Sequence, residues 1–270
     1  MNEASPVITV QGLTLGYDDR TVITDLDLEV PRGVTSVIVG ANACGKSTLL
    51  RAMARLLSPR TGSVLLDGRA IAELPTREIA RTLGLLPQTP VAPEGIAVAD
   101  LVGRGRYPHQ GWFRRWSTED DDAVKSALAA TDTLDLADRS VDELSGGQRQ
   151  RVWIAMALAQ QTDVLLLDEP TTFLDLSHQV EVLDLLTDLN RQRGTTIVMV
   201  LHDLNLAARY ADRLIAMKGG AVHSEGAPLE VMTSEMVESV FGLRSRIIAD
   251  PVSGSPLVVP IGRHYTGVEV

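Results

Sequence analysis

The loop from Gly40 to Thr48 constrains the fold of this chain more than any other feature of its sequence. It reads Gly-Ala-Asn-Ala-Cys-Gly-Lys-Ser-Thr and matches the pattern G-x-x-x-x-G-K-[ST]. The apolar run Val34–Val39 precedes the loop, and an apolar-faced segment, Lys46–Leu56, follows it. A buried strand, a glycine-containing loop and a helix in this order predict a phosphate-binding loop in an α/β fold. A glycine turn capped by chance is the alternative interpretation.

Phosphate binding explains the spacing of this loop. Backbone N–H groups have to curl around phosphate oxygens at the N-terminus of a helix. We expect Lys46 to reach the terminal phosphates of a nucleotide and the Ser47 hydroxyl to bind Mg²⁺. The residues expected to contact the nucleotide here are Gly40, Ala41, Asn42, Ala43, Cys44, Gly45, Lys46, Ser47 and Thr48.

Two acids end a second apolar run. Val164–Leu167 is followed directly by Asp168 and Glu169. Because ligands in open α/β sheets bind at the carboxyl ends of the strands, we expect both acids to face the nucleotide. Asp168 would hold Mg²⁺ through water, and Glu169 would polarise the attacking water, a contribution of roughly 10²–10⁴ in rate. Two solvent-exposed acids at the end of a strand are the alternative.

The rest of the chain extends the α/β pattern. Further apolar runs of strand length and amphipathic stretches of helix length recur, at Leu83–Leu86, Thr196–Leu201, Ser177–Asn190 and Leu204–Tyr210. They predict a mostly parallel sheet with helices. Ile8–Leu15 and Val22–Val30 alternate in polarity around a polar turn, which predicts a small antiparallel sheet. Residues 90–160 lose the strand pattern and predict a helical insert, with a capping-box helix start at Ser117.

Charge and composition limit the partners of the chain. Lys and Arg number 25 against 35 Asp and Glu, a formal net charge of −10, which disfavours general binding to nucleic acid or anionic lipid. Cys44 is the single cysteine, so an intrachain disulfide is excluded. We see no signal-peptide pattern and no apolar run long enough to span a bilayer. We therefore expect a cytoplasmic protein that relies on another polypeptide for any membrane role.

A third motif identifies a family resemblance. Leu144–Arg151 reads Leu-Ser-Gly-Gly-Gln-Arg-Gln-Arg at the start of a predicted helix, with Ser145 as a suitable N-cap. This motif resembles the signature of the ATP-binding cassette family. Together with the phosphate loop and the acid-tipped strand, it extends the family resemblance over nearly the whole chain. The resemblance implies an α/β P-loop NTPase core of the RecA-like type, with a mostly parallel sheet, an N-terminal antiparallel β subdomain and a helical signature subdomain.

The resemblance also implies roles for single residues. Tyr17 would stack on adenine, Gln88 would touch Mg²⁺ and sense a membrane partner, and His202 would contact the γ-phosphate. The alternatives are a core aromatic, an ordinary loop glutamine and a structural histidine. Asp175 would cross a dimer interface, although it also suits a helix N-cap. The positions expected to bind the nucleotide of a second copy are Ser145, Gly146, Gly147 and Gln148.

The family pattern further implies one ATPase domain with three parts. Residues 1–88 and 161–225 would form the nucleotide-binding core, residues 89–160 the helical subdomain and residues 226–270 a C-terminal extension. The chain departs from the family in the phosphate loop, where Ala41 and Ala43 replace a frequent Pro and Gly. Because alanine tolerates a positive φ less well than glycine, we expect a strained loop or an altered nucleotide affinity.

One segment bears on what the ATPase drives. Residues 103–116 contain four arginines, four aromatic residues and no acid. This segment and Phe173–Leu183 resemble the ATPase subunits of iron–siderophore importers, within a class that includes haem and vitamin B12 uptake. The basic, aromatic composition also suits single-stranded nucleic acid, against which the net charge argues, or a solvated loop.

The importer resemblance implies a full set of cofactors and partners. The cofactors would be ATP and Mg²⁺, and two copies would close head to tail. A permease pair would dock near Gln88 and residues 89–116 at the cytoplasmic face of the membrane, and a substrate-binding protein would act with it. No nucleic acid is expected. The rival is a soluble cassette ATPase of DNA repair or translation, but the chain lacks the long coiled-coil insert and the second cassette of those classes.

Overall fold

The computed structural model describes residues 6–110 and 116–264. Its strands, in chain order, are β1 (Pro6–Tyr17), β2 (Arg20–Pro31), β3 (Thr35–Gly40), β4 (Thr61–Leu66), β5 (Arg69–Ala70), β6 (Leu83–Leu86), β7 (Val164–Asp168), β8 (Thr196–Val200), β9 (Arg213–Lys218), β10 (Ala221–Gly226), β11 (Ser245–Ala249) and β12 (Pro256–Pro260). Its helices are α1 (Lys46–Met53), α2 (Thr76–Thr82), α3 (Val98–Gly103), α4 (Thr118–Ala130), α5 (Gly146–Ala159), α6 (Leu176–Arg193), α7 (Leu204–Tyr210), α8 (Pro228–Val231) and α9 (Ser234–Phe241). The chain divides into unit 1, Met1–Gly68 with Val198–Val270, and unit 2, Arg69–Ile197.

Alternating polarity shapes the antiparallel sheet of unit 1. β1 and β2 pair antiparallel on either side of a tight turn, and β4 pairs antiparallel with β1. The apolar face of this sheet is buried and includes Ile8, Val10, Leu13, Leu15, Ile23 and Val64. The antiparallel sheet predicted from the first thirty residues is confirmed, and β4 is a strand that the sequence pattern did not reveal.

The second sheet of unit 1 centres on β3. Every residue of β3 is buried, including the polar Thr35 and Ser36 that precede its apolar residues Val37, Ile38 and Val39. β3 pairs parallel with β9, which comes from the far end of the chain, and β10 pairs antiparallel with β9. The Leu201 N–H, directly after β8, donates to the Ile38 carbonyl at 3.2 Å.

Unit 2 combines a short parallel pair of strands with a helical layer. β6 and β7 pair parallel, and all residues of β7 are buried. Helices α3, α4 and α5 pack against one another through apolar residues such as Leu101, Val124, Leu128, Val152 and Ile154. The helical insert predicted for residues 90–160 is therefore present. The Ser117 capping box is also confirmed, and the Asp120 side chain completes it by accepting from the Ser117 N–H.

The C-terminal segment folds back onto α7 in unit 1. β11 and β12 form an antiparallel hairpin. The Asn205 side chain on α7 accepts from the Val258 N–H at 2.7 Å and donates to its carbonyl at 3.4 Å, so it pairs with the hairpin as a neighbouring strand would. Arg209 of α7 forms an ion pair with Asp250 at the hairpin turn. This arrangement gives the proline-containing tail a structural role that its sequence did not indicate.

Most predicted element bounds agree with the structure to within a few residues. The main difference is α1, which ends at Met53 rather than near Leu56 because Arg55 adopts a φ of 57° and breaks the helix. The functional division at residues 88, 160 and 225 stays a prediction, since compactness divides the chain by another criterion. None of the helices in the described ranges is long and apolar enough to cross a membrane.

Candidate nucleotide-binding and hydrolysis site

The phosphate loop leaves β3 and enters α1 through two glycines that no other residue could replace without strain. Gly40 has a φ of 157° and Gly45 a φ of 109°. A Cβ on Gly40 would lie 2.4 Å from the Met217 carbonyl oxygen of β9. These glycines let the loop turn tightly against the sheet, as the motif predicts.

Lys46 organises the interior of this loop. Its ammonium group donates to the Gly40 carbonyl at 2.8 Å and to the Ala41 carbonyl at 3.0 Å, and the residue is 5% exposed. Both acceptors are neutral carbonyl groups, so neither contact neutralises the positive charge of Lys46. The N-terminus of α1 carries no side-chain cap among the described residues, and its first turn holds no acid. A loop with these features suits the oxygens of a phosphate group.

Ala43 shows the strain that its sequence position predicts. Its φ is 61°, in the left-handed region, which costs a residue other than glycine roughly 1–2 kcal/mol. Cys44 beside it is buried, and its carbonyl accepts from the Gly220 N–H at 3.0 Å. The buried thiol packs against Gly40, where an added Cβ would lie 2.8 Å from the Cys44 Sγ, so it fills space at the base of the loop.

Two other predicted nucleotide contacts lie in unit 1. Tyr17, at the end of β1, is 42% exposed, and its hydroxyl accepts from Arg51 of α1 at 3.3 Å. It is therefore not a core aromatic. His202 is exposed and follows Leu201, whose hydrogen bond to Ile38 places it beside the strand that leads into the phosphate loop. Unit 1 thus brings Tyr17 and His202 to the elements that flank the loop.

The two acids of β7 lie at the end of a fully buried strand in unit 2. Asp168 ends β7, and both Asp168 and Glu169 are buried. Glu169 adopts a φ of 56°, so the chain turns sharply at this residue. Thr172 donates its hydroxyl to the Glu169 carboxylate at 3.2 Å. The interpretation of these residues as acids that merely end a strand in solvent is therefore wrong.

The signature sequence begins α5 with a complete capping box. The Ser145 hydroxyl accepts from the Gln148 N–H at 3.2 Å, and the Gln148 side chain accepts from the Ser145 N–H at 3.1 Å. The predicted N-cap is confirmed. A hollow of about 370 Å³ opens here, lined by Ser145, Gly147, Gln148 and the exposed Phe173, among other residues. An exposed helix N-terminus at a hollow can receive an anionic group from another molecule.

Asp175 and Gln88 occupy the ends of elements in unit 2. Asp175 caps α6, which confirms the N-cap interpretation. The pKa of its carboxyl lies below the ordinary value because the His178 N–H, the Ser177 hydroxyl and the His178 ring all bond to it. Gln88 is exposed and lies two residues beyond the end of β6. The roles of these residues toward a nucleotide or a partner stay predictions.

The side chains near the phosphate loop and at the end of β7 include oxygen donors that suit Mg²⁺. The described residues contain no cluster of three or more His, Cys, Asp or Glu side chains that could hold a metal ion. Mg²⁺ does not need such a cluster, because it is bound by one or two protein oxygens together with water and phosphate oxygens. The Ser47 hydroxyl, the Asp168 carboxylate and the Gln88 amide are hard oxygen donors of the type that fits this ion.

Within residues 103–116, the structure buries one of the arginines that the composition suggested would lie in a solvated or docking segment. Arg106 is only 4% exposed, and its guanidinium donates to Asp120 at 2.9 Å and to the Ala159 carbonyl at 2.9 Å. It is a buried residue of the helical layer, and docking of a permease near residues 89–116 stays a prediction. Arg104 is exposed. The arginines and aromatic residues at 111–115 lie outside the described residues.

Sequence reasoning missed residues that support the site without carrying a motif role. Thr172 bonds to Glu169, Arg51 bonds to Tyr17, and Gln150 donates to the Pro170 carbonyl at 2.9 Å. The sequence carries a signal only for Thr172, which follows Glu169 by three residues as a capping side chain would. Gln150 and Arg51 read as ordinary helix residues.

Comparison with known proteins agrees with this geometry. The sequence profile of the family described as ABC transporter matches residues 23–172. The achromobactin transport ATP-binding protein CbrD of Dickeya dadantii is 56% identical over 95% of each chain. The ferric enterobactin transport ATP-binding protein FepC of Escherichia coli is 54% identical over 97% of each chain. Among solved structures, the dimeric MJ0796, a bacterial ABC transporter cassette, superposes with a TM-score of 0.75 at 28% identity, covering 82% of this chain and 98% of that one.

Proposed function

This chain belongs to the ABC transporter family, and from that premise we propose that it hydrolyses ATP to drive a membrane importer of iron–siderophore complexes. The observation that carries the ATPase part is the phosphate loop of unit 1. It combines tight turns that only glycine adopts without strain, at Gly40 and Gly45, with a buried Lys46 ammonium held by loop carbonyls. This arrangement offers backbone N–H groups and a positive charge to the phosphates of ATP.

Hydrolysis would use the acids at the end of β7. Glu169, buried and hydrogen-bonded by Thr172, would accept a proton from the water that attacks the γ-phosphate. His202 would contact the γ-phosphate, and Tyr17 would stack on adenine. Mg²⁺, held by Ser47, Asp168 and Gln88, would neutralise charge on the phosphates. Lys46 would stabilise the charge that develops on the transferred group.

A second copy of the chain would complete each site. The exposed N-terminus of α5, with Ser145, Gly146, Gly147 and Gln148, would face the ATP bound by the other copy, and Asp175 would lie at the interface. The dimeric form of the MJ0796 cassette supports this assembly. Because no described helix can cross a membrane, transport would need permease subunits, to which this chain would bind at the cytoplasmic face.

The cargo assignment rests on the relatives. Two proteins more than half identical to this chain over nearly their full lengths bear the names of achromobactin and ferric enterobactin transport ATP-binding proteins. A third relative, from Bacillus subtilis and 57% identical over 95% of this chain, is named a probable siderophore transport system ATP-binding protein. Cargo would contact the permease and a substrate-binding protein and not this chain.

The hydrolysis proposal is tested with Glu169→Gln, which removes the base and keeps the size of the side chain. We expect it to bind a fluorescent ATP analogue as the wild type does and to lose at least about a hundredfold in kcat. A Glu169→Gln protein with wild-type turnover would overturn the role given to Glu169.

The cargo proposal is tested by deleting the chromosomal gene for this chain. We expect loss of growth on a ferric siderophore as the sole iron source, restored by the wild-type chain and not by Glu169→Gln. Normal siderophore growth combined with defective use of haem or cobalamin would replace the proposed cargo and leave the ATPase assignment intact.

A further inference from the structure

The helix that begins with the signature sequence makes a buried contact with the segment that carries Glu169. Gln150 lies on α5, a little over one turn after Ser145, and is only 7% exposed. Its Nε2 donates to the carbonyl oxygen of Pro170 at 2.9 Å. Pro170 directly follows Glu169. A side chain of the signature helix therefore fixes the backbone beside the residue proposed as general base.

The segment that Gln150 holds has no regular secondary structure of its own. β7 ends at Asp168 and α6 begins at Leu176, so the Pro170 carbonyl lies outside both elements. Glu169 and Phe173 adopt φ values of 56° and 68°, which are unfavourable for residues other than glycine. Such a conformation persists only where the surroundings fix it.

Side chains from both neighbouring helices provide that constraint. Gln150 of α5 holds the Pro170 carbonyl, and Gln179 of α6 donates to the Leu174 carbonyl at 2.9 Å. Within the segment, Thr172 bonds to the backbone and to the carboxylate of Glu169, each at 3.2 Å. The two glutamines therefore fix the backbone of the segment at its start and near its end. Thr172 in turn fixes the Glu169 carboxylate relative to that backbone.

We propose that Gln150 is a positioning residue for Glu169, through which the signature helix orients the carboxylate of the general base in its own subunit. The inference rests on the proposed function, in which Glu169 activates water. Since the N-terminus of α5 would face the ATP of the other copy, a displacement of α5 on dimer closure would reach Glu169 through Gln150. Each subunit's base would then respond to the nucleotide that its own signature helix touches.

A purely structural role for Gln150 makes a different prediction. Loss of the bond would leave a buried carbonyl without this donor and would lower stability. It would not change turnover in the folded protein, nor make turnover depend on the protonation of residue 150. The tests therefore measure kcat, KM and their pH dependence.

The first test compares Gln150→Leu with wild type in the full chain. Leucine fills a similar volume with an apolar side chain and removes the donor. We expect kcat for ATP to fall about ten- to a hundredfold, as small misplacements of catalytic groups cause, while KM and the affinity for a fluorescent ATP analogue stay within about twofold. The matched control is Gln192→Leu, which changes an exposed glutamine of α6 and should keep wild-type kcat.

The second test uses Gln150→Glu, in which donation depends on pH. The protonated carboxyl has an O–H that can bond to the Pro170 carbonyl, whereas the carboxylate has none. Burial and the facing carbonyl raise the pKa of the introduced carboxyl above the ordinary value of about 4.3. As the pH falls from about 8 to about 5.5, we expect the kcat of Gln150→Glu relative to wild type to rise, while that of Gln150→Leu stays flat.

The outcomes separate this inference from the proposed function. Wild-type kcat in Gln150→Leu, alongside an inactive Glu169→Gln, would overturn the inference alone. A flat pH ratio for Gln150→Glu would also overturn it, and this test stands even if Gln150→Leu fails to fold. Undiminished turnover in Glu169→Gln would overturn the proposed function and, with it, the role of Gln150.

Discussion

Arg106 offers the sharpest test of how the helical layer of unit 2 is held together. Its guanidinium bonds to Asp120, to the Ala159 carbonyl and to the Gln161 side chain, all within 3.0 Å. Asp120 is also buried and closes the capping box of α4 through Ser117. Removing one partner of a buried ion pair costs about 3–5 kcal/mol because the other charge stays buried. For a chain of this size, Arg106→Met should therefore lower Tm by about 6–10 °C.

The pH dependence of this loss follows from the carboxyl of Asp120. Burial raises its pKa, but the hydrogen bonds from Arg106 and Ser117 outweigh burial and hold the pKa below the ordinary value of 3.8. A depressed pKa contributes stability above pH 3.8 that is lost as the pH falls through the folded-state pKa. In Arg106→Met, only the Ser117 hydrogen bonds oppose the effect of burial, so the pKa of Asp120 is higher than in the wild type. Protonation then relieves the unpaired charge, so the difference in Tm should shrink from about pH 7.5 to about pH 4.5.

Thermal unfolding followed by circular dichroism at both pH values measures these effects. The control is Arg104→Met, since Arg104 is an exposed arginine of the same segment, and it should change Tm by less than about 2 °C. Arg106→Met with Asp120→Leu should recover part of the loss, because the buried charge is then gone. An equal effect of the two single arginine variants, or a loss in Arg106→Met that does not vary with pH, would refute this reasoning.

Three further predictions concern the loop, the interface and the tail. Ala43→Gly should relieve roughly 1–2 kcal/mol of backbone strain, offset by about 0.5–1 kcal/mol of glycine entropy, so urea unfolding should show unchanged or modestly higher stability and not a loss. With ATP, Glu169→Gln should double its mass in light scattering, and adding Ser145→Arg should return it to a monomer; a mass that ATP never changes would argue against the head-to-tail dimer. Asn205→Ala should loosen the C-terminal hairpin and speed tryptic cleavage after the exposed Arg246, detected by mass spectrometry, whereas an unchanged rate would show that the Asn205 pair is dispensable.

The sequence predicted those parts of the fold whose cause is local. β3, β7 and the helix starts at Lys46 and Ser145 follow from apolar runs, glycines and capping side chains that act within a few residues. The same local logic predicted the phosphate loop and the positive φ at Ala43. These features could be inferred because the chemistry of the motif fixes the backbone.

The sequence did not predict the features in which a residue depends on a partner distant along the chain. Arg106 looks like a surface base in a basic segment, and only the packing of α4 and α5 brings Asp120 and Ala159 to it. The hairpin of β11 and β12 escaped notice because its anchor, Asn205, lies in a helix far from it in sequence. Gln150 was missed for the same reason, since its acceptor lies on a segment that begins after the next strand.

The pairing of β3 with β9 has a consequence for synthesis of the chain on the ribosome. The Thr35 N–H bonds to Asp212, 177 residues away, and the Cys44 carbonyl at the base of the phosphate loop bonds to Gly220. The loop is translated early, but the strand and turn that support it emerge late. At about 5–20 residues per second, a nascent chain spends roughly 10–35 seconds with this loop exposed and unsupported. A truncated or stalled product that lacks β9 would therefore carry the whole nucleotide motif and yet bind ATP poorly, which would keep incomplete subunits from competing for nucleotide.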